Sequence, residues 1–405
     1  MKKFKSALLA RLRRAALLDI SEERHPTEGG RRPADINLER IGFVIVILIL
    51  FLNLVFFVFE SRNFYLKPFE TEKTEKVFNF SQFAQNSENR KFIIEDWDLF
   101  ALAGYHYIKG DNPAEINFEH PPLSKYFFGL SILIFGNPNV IQIFFGLGIL
   151  ILIFLIGKRI FESNFLASIP PLIFSFDQVF LQQFKLSMID LVQTFFIALS
   201  FLVFEKALRD KKFYFFLGVI LGAVIATKYL GVAIFGVYFL YLLFKKRQDI
   251  KFYLGSVVIA GIFYFLSWFG FFLNGKILAD FVRLNVDIIR LYRSYLPDYP
   301  FGEIWRLLAT GNWRVWFGET PNIAVSEFWI FWPLSLISLV AATFLARKLD
   351  NLFLTLTVFW SWLYLISASF HVIFPRHLLL FLPFGAILLV YVVKEVVVYV
   401  GRHRR

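Results

Sequence analysis

Between Ile41 and Phe59 the chain reads IGFVIVILILFLNLVFFVF, without a single charge. A helix of about 20 apolar residues crosses the roughly 30 Å hydrocarbon core of a bilayer, where no water can satisfy an exposed backbone. A run of this kind commits the chain to a membrane. More apolar runs follow, separated by short basic clusters at Lys158-Arg159, Lys206 to Lys212, Lys245 to Arg247, Arg347-Lys348 and Arg402 to Arg405. Composition agrees. A hydrophobic fraction of 57% with a mean hydropathy of +0.60 lies well above that of a soluble globular chain. A net charge of +12 would suggest nucleic acid in a soluble protein. Here the cations sit in loops between apolar runs, the pattern of cytoplasmic loops. The chain has no cysteine, which removes disulfides and thiolate metal sites. The expected class is an all-α polytopic membrane protein.

Placing every basic cluster on the cytoplasmic side sets the topology. Spans near 41–59, 140–157, 164–181, 190–205, 213–227, 229–244, 252–273, 327–346, 351–369 and 377–397 meet that condition, about ten in all. The segment 121–135 must then not cross, and at roughly 22 Å as a helix it is too short to do so. It reads as a re-entrant or interfacial helix on the outer face. The expected organisation is a cytoplasmic basic tail (1–40), a core (41–273) with a first extracytoplasmic loop at 60–122, a second large loop (274–326), and C-terminal helices with a basic tail (327–405). A break at Lys228 divides an apolar stretch too long for one crossing. The lysine is expected at the outer tip of a hairpin, which spares the roughly 2.5–3.5 kcal/mol cost of a cation at mid-membrane. In the second loop Phe281, Leu284, Ile288, Leu291 and Tyr295 share one helical face, with Arg283, Asp287 and Arg290 on another. Trp305, Trp313 and Trp316 are expected at a headgroup boundary.

This topology gathers Asp96, Glu119, His120, Lys125, Lys185, Asp190, Lys228, His371, Arg376 and His377 on the outer side. Carboxylates and cations in a membrane-bordered cleft suit removal of a hydroxyl proton while a phosphate departs. Simpler roles exist for each. Asp96 and Asp190 could cap helices, Pro121-Pro122 could merely stiffen a helix start, and Lys228 and Arg376 could snorkel to headgroups. His371 and His377 lack any metal-ligand spacing, so no metal is expected; no cofactor is expected either, and the sequence leaves a divalent cation undecided. A transporter or lipid flippase is the rival class, but its charges belong near the midplane.

Specific motifs point further. EDWDLFALAGYHYIKG followed by INFEHPPLSKYFFG resembles the first luminal loop of the protein O-mannosyltransferases, with an acidic motif ahead of a His-Pro-Pro-Leu-x-Lys signature. FKLSMIDLVQTFF and ATKYLG are similar to the next elements of that family, and YPFGEIW and FPRHLLLFLP more weakly to later ones. The resemblance implies an integral-membrane glycosyltransferase of GT-C architecture that takes a sugar, mannose above all, from a polyprenyl-phosphate donor and inverts the anomeric centre. It implies catalytic roles for Asp96, Glu119 and Asp190. Substrate binding then falls to His120, Lys125, Lys185, Lys228, Arg376 and His377. The family's paired Asp-Glu reads Asp96-Trp97 here, and Ile141-Gln142 stand where an Arg is usual. The acceptor therefore remains open between protein Ser/Thr and the lipid or cell-surface glycans used by the related aminoarabinose transferases. The expected location is the cell membrane, with the catalytic face outside.

Overall fold

Helices account for nearly every element, because in lipid only a helix satisfies its own backbone within one segment. A computed structural model describes residues 33–83, 90–294, 299–315, 322–345 and 351–403. The basic tail up to residue 32, Tyr295, Trp316, the Arg347-Lys348 cluster and the last two residues lie outside the described residues. The chain divides into a unit Met1–Ile41 and a unit Gly42–Arg405 that holds the site.

In chain order the helices are α1 (Pro33–Glu60), α2 (Arg62–Leu66), α3 (Thr71–Asn79), α4 (Asp96–Lys109), α5 (Pro113–Asn117), α6 (Leu123–Phe135), α7 (Val140–Phe161), α8 (Asn164–Ser175), α9 (Gln178–Lys185) and α10 (Ile189–Arg209). They continue with α11 (Phe213–Thr227), α12 (Ala233–Lys245), α13 (Ile250–Ser267), α14 (Phe269–Leu273), α15 (Leu278–Ser294), α16 (Glu303–Thr310), α17 (Phe331–Leu345), α18 (Leu352–Ala368) and α19 (Leu382–His403). Tighter 3-10 turns at Tyr229–Val232 and Pro375–Leu380 precede α12 and α19. A small antiparallel pair, β1 (Asn312–Arg314) and β2 (Asn322–Ala324), sets Trp313 opposite Ile323.

Among the described residues α1, α7, α10, α13 and α19 are long and apolar enough to cross a bilayer, while α6, α11, α12, α17 and α18 are apolar but shorter. Leu48, Phe51, Leu52 and Val55 of α1 are exposed, as lipid-facing side chains must be. Burial centres on α10, which packs against α7, α11 and the turn Pro375–Leu380.

Two expectations change, and two tryptophans take a structural role. The span 164–181 is not one helix, because α8 and α9 meet at a 72° bend. Asp177 makes the bend: its Oδ1 accepts from Val179 N at 2.9 Å and Phe180 N at 3.2 Å, capping α9. Its Oδ2 accepts from the indoles of Trp329 and Trp332, each at 2.8 Å. Lys228 does interrupt 213–244, but it is no exposed tip. It is extended and only 5% exposed, because α11 turns to α10 and α13 while α12 turns to α18. Trp305 and Trp313 are half-buried and donate to Ser369 Oγ at 2.7 Å and to the Ile373 carbonyl at 2.6 Å. They brace the turn ahead of Pro375.

Candidate active site

The site starts from two helices that touch backbone to backbone. A Cβ on Gly104 of α4 would strike the Lys125 carbonyl and the Gly129 backbone of α6, so only glycine permits this approach. The crossing brings the first turn of α4, with Asp96, beside the loop FEHPP that leads into α6. Asn112 caps α5 by accepting from Ala114 N at 3.1 Å, and Pro113 occupies its first turn. Lys125 Nζ then donates to the carbonyls of Asn117 at 2.9 Å and His120 at 2.6 Å. The lysine of the HPPLSK motif is fully buried, and it fixes the loop that presents Glu119 and His120.

The opposite wall comes from three distant segments. Asp190 opens α10 yet caps nothing. Its Oδ1 accepts from Lys228 Nζ at 2.6 Å, and Lys228 Nζ also lies 2.9 Å from His377 Nε2. Arg376 reaches Asp96 Oδ2 at 2.5 Å and stands 3.8 Å from Asp190 Oδ2. Asp96 likewise is not a cap, since Glu95 holds that position without a side-chain bond. Arg376 thus bridges two carboxylates drawn from α4 and α10, across 280 and 186 residues of chain by position (376 less 96 and 376 less 190).

Between the walls lies a cavity of about 450 Å³. Asp96, Glu119, His120, Lys228, Tyr292, His371, Arg376 and His377 line it, together with Phe83, Tyr229 and Leu291. Asp190, Lys125 and Lys185 do not line it. Asp190 stands fully buried behind Lys228. Lys185, at the end of α9, lies over the rings of Phe57 and Phe64.

Electrostatics divide the carboxylates. Burial pushes the Glu119 carboxyl above the usual glutamate range, the neighbouring Asp96 charge adds to the rise, and Lys125 opposes it. Among the described residues no hydrogen bond or ion pair engages the Glu119 side chain. Burial lowers His120 far below the ordinary histidine value, with Lys228, Lys125 and Arg376 adding to the shift. His371 is lowered by burial and then by Lys228. Both imidazoles are therefore held toward the neutral form, and the positive charge facing the cavity belongs to Lys228 and Arg376. A pH prediction follows. Glu119 takes up its proton at a higher pH than an exposed glutamate, so turnover that needs its charge falls early on the acid side. Replacement by Gln should remove that part of the acid limb, measured as kcat/KM against pH. An identical limb in Glu119→Gln would leave Glu119 without a role.

Several contributors carry no sequence motif. Gln142 Nε2 donates to the carbonyls of Leu186 and Met188, both at 2.7 Å, and so steers the chain into α10. Gln183 accepts from Leu191 N at 3.1 Å and donates to the Arg376 carbonyl at 3.3 Å. Gln193 donates to the Lys228 carbonyl. An amide inside an apolar run is the signal that marks all three. Tyr292 of α15 meets His120 Nδ1 at 2.8 Å and donates to the Glu119 carbonyl at 3.1 Å, a contact that the amphipathic pattern of α15 does not reveal.

Residues 119–268 match the family model described as dolichyl-phosphate-mannose-protein mannosyltransferase. The match takes in Glu119, Lys125, Asp190 and Lys228, and it leaves Asp96 and Arg376 outside. No curated protein matches the chain. Among solved structures, ArnT from Cupriavidus metallidurans bound to undecaprenyl phosphate superposes with a TM-score of 0.57 at 13% identity, over 84% of this chain and 60% of that one. Its apo form gives 0.53 at 13% identity, over 84% and 59%. The apo oligosaccharyltransferase of Archaeoglobus fulgidus gives 0.49 at 13% identity, over 90% and 52%. The chain thus spans about 60% of the ArnT chain it resembles. Residues 119–268 thus carry the pattern of the dolichyl-phosphate-mannose-protein mannosyltransferase family model, within an all-α polytopic membrane fold that the chain shares with ArnT.

Proposed function

We propose that the chain transfers a sugar, mannose the first candidate, from a polyprenyl-phosphate donor to a hydroxyl acceptor, protein Ser/Thr the first candidate, at the outer face of the cell membrane. The observation that carries this reading is the single cavity in which Lys228 and Arg376 face Asp96 and Glu119. Cations for a departing phosphate and carboxylates for an incoming hydroxyl are the two needs of such a transfer. The ArnT fold solved with undecaprenyl phosphate supports a polyprenyl carrier.

In the reaction, the donor phosphate competes with Asp96 for Arg376 and draws the guanidinium toward itself. Asp96, released from the pair, takes the proton of the acceptor hydroxyl. The hydroxyl oxygen attacks the anomeric carbon from the face opposite the phosphate, and the carbon–oxygen bond to phosphate breaks with inversion. Polyprenyl phosphate leaves with the electron pair, its charge met by Arg376 and Lys228. Asp190 and His377 position Lys228, Lys125 holds the Glu119 loop, and Glu119 orients the acceptor.

The test is to incubate purified protein with labelled polyprenyl-phosphate mannose and separate acceptors: a Ser/Thr peptide, a lipid and cell-surface glycan. Label on the peptide supports the primary reading. Label on lipid or glycan moves the acceptor to the second class, and translocation of the donor without transfer overturns the enzyme in favour of a flippase.

Topology is open to a separate check. Cysteines placed at the exposed Lys76 and Asn274 are expected to react with an impermeant thiol reagent added outside, and those at Lys246 and His403 only after permeabilisation. The native chain has no cysteine to interfere. Labelling of position 403 from outside would invert the scheme.

A further inference from the structure

A second cavity, of about 1020 Å³, opens where α7 and α10 end, far from the site just described. Asp190 begins α10 in that site and Lys206 lies in the last turn of the same helix. Sixteen positions of helix separate them, about 24 Å. The two cavities therefore stand near opposite surfaces of the membrane that α10 crosses.

The walls of this second cavity are basic at the end and apolar toward the membrane. Lys158, Arg159, Lys206 and Arg209 face Glu162 and Glu205. Glu205, its side chain 10% exposed, binds both arginines, at 3.3 Å to Arg159 and 2.5 Å to Arg209. One carboxylate shared by two guanidinium groups leaves the pair of arginines net positive. Lys158 and Lys206 are exposed and have no ion-pair partner among the described residues. Asn351 fixes the third wall, donating to the Arg159 carbonyl at 2.7 Å while accepting from Leu354 N at 3.1 Å at the start of α18. Within one or two turns of the cations, in the direction of the membrane interior, Leu155, Leu199, Leu202 and Val203 line the same space.

We infer that this cavity binds an anionic phospholipid of the leaflet opposite the catalytic cavity, its phosphate between Lys158 and Lys206 and an acyl chain along the leucines. Charge complementarity calls for the phosphate, and basic pockets between transmembrane helices are known to favour such headgroups. The contiguous apolar wall decides for a lipid over a free anion, which has no use for Leu199 or Leu202. The arrangement also suits a resident lipid, because the arginines stay tied to Glu205 while the two exposed lysines are left to meet the headgroup. Such a lipid would cement α7, α10 and α18 at their basic ends.

Native mass spectrometry of the full chain in detergent tests this with three probes: dioleoyl phosphatidylglycerol, dioleoyl phosphatidylcholine and inorganic phosphate. Phosphatidylglycerol is expected to bind roughly 10-fold or more tightly than phosphatidylcholine. The double variant Lys158→Gln/Lys206→Gln should erase that preference, and Lys158→Arg/Lys206→Arg should keep it. Arg376→Met, which weakens only the catalytic cavity, should also leave it unchanged. If the double glutamine variant melts early, the single variants carry the same test, each expected to weaken phosphatidylglycerol several-fold. Equal binding of phosphatidylcholine, displacement of phosphatidylglycerol by inorganic phosphate, a preference unchanged in the glutamine variants, or loss in Arg376→Met would each overturn the inference.

Discussion

Asp96→Asn is expected to lower the rate of sugar transfer by roughly 100-fold or more, as loss of a general base does, while donor binding holds or tightens. The direction of the second effect comes from the ion pair with Arg376 at 2.5 Å. In the proposed reaction Asp96 and the donor phosphate compete for one guanidinium, and the amide withdraws from that competition. The fold should not suffer, because Asp96 caps nothing and its side chain is 38% exposed. Donor affinity and transfer rate measured on one detergent-purified preparation separate the two effects. Full activity in Asp96→Asn would remove Asp96 as the base and leave Glu119 as the carboxylate open to the cavity.

Lys228→Met has a different signature, since it strips the nearer of two cations from a carboxylate with no exposure at all and leaves only Arg376 at 3.8 Å. Removing one partner of a buried ion pair costs about 3–5 kcal/mol, so the variant should unfold at a clearly lower temperature and bind donor poorly. The double variant Asp190→Asn/Lys228→Met removes both charges together. It should recover most of the lost stability, because a neutral pair leaves no buried ion. Donor affinity should stay low in the double variant, because the cation proposed to meet the phosphate is still missing. Thermal melting and donor binding on the two variants form the measurement. Donor affinity restored along with stability would mean that Lys228 only holds the fold.

The HPPLSK segment shows how far a motif reaches. Its residue types announce a polar loop at a membrane edge, and the structure does place Glu119 and His120 in the cavity. The lysine of the same motif turns the other way, to the carbonyls of Asn117 and His120. Nothing in the spacing separates these outcomes, because both directions lie within reach of a four-carbon side chain. The span 164–181 fails to be continuous for a comparable reason. Asp177 is one acid in an apolar run, and what makes it a bend is the pair of indoles arriving from Trp329 and Trp332.

What the sequence alone determined is the class of solvent and the chemistry on offer. Apolar runs such as Ile41–Phe59 partition into lipid by their own composition and length, and lipid permits only helices there. Acids and cations near the ends of those runs were equally visible, as was their resemblance to a mannosyltransferase loop. Only the tertiary structure decided which of them meet. Asp190 with Lys228, Lys228 with His377, and Asp96 with Arg376 are joined across 38, 149 and 280 positions. Such pairings leave no local trace, because they depend on which helices pack side by side. That choice rests on surface fit along α10 and on a glycine contact between α4 and α6, not on the residues that finally share a charge.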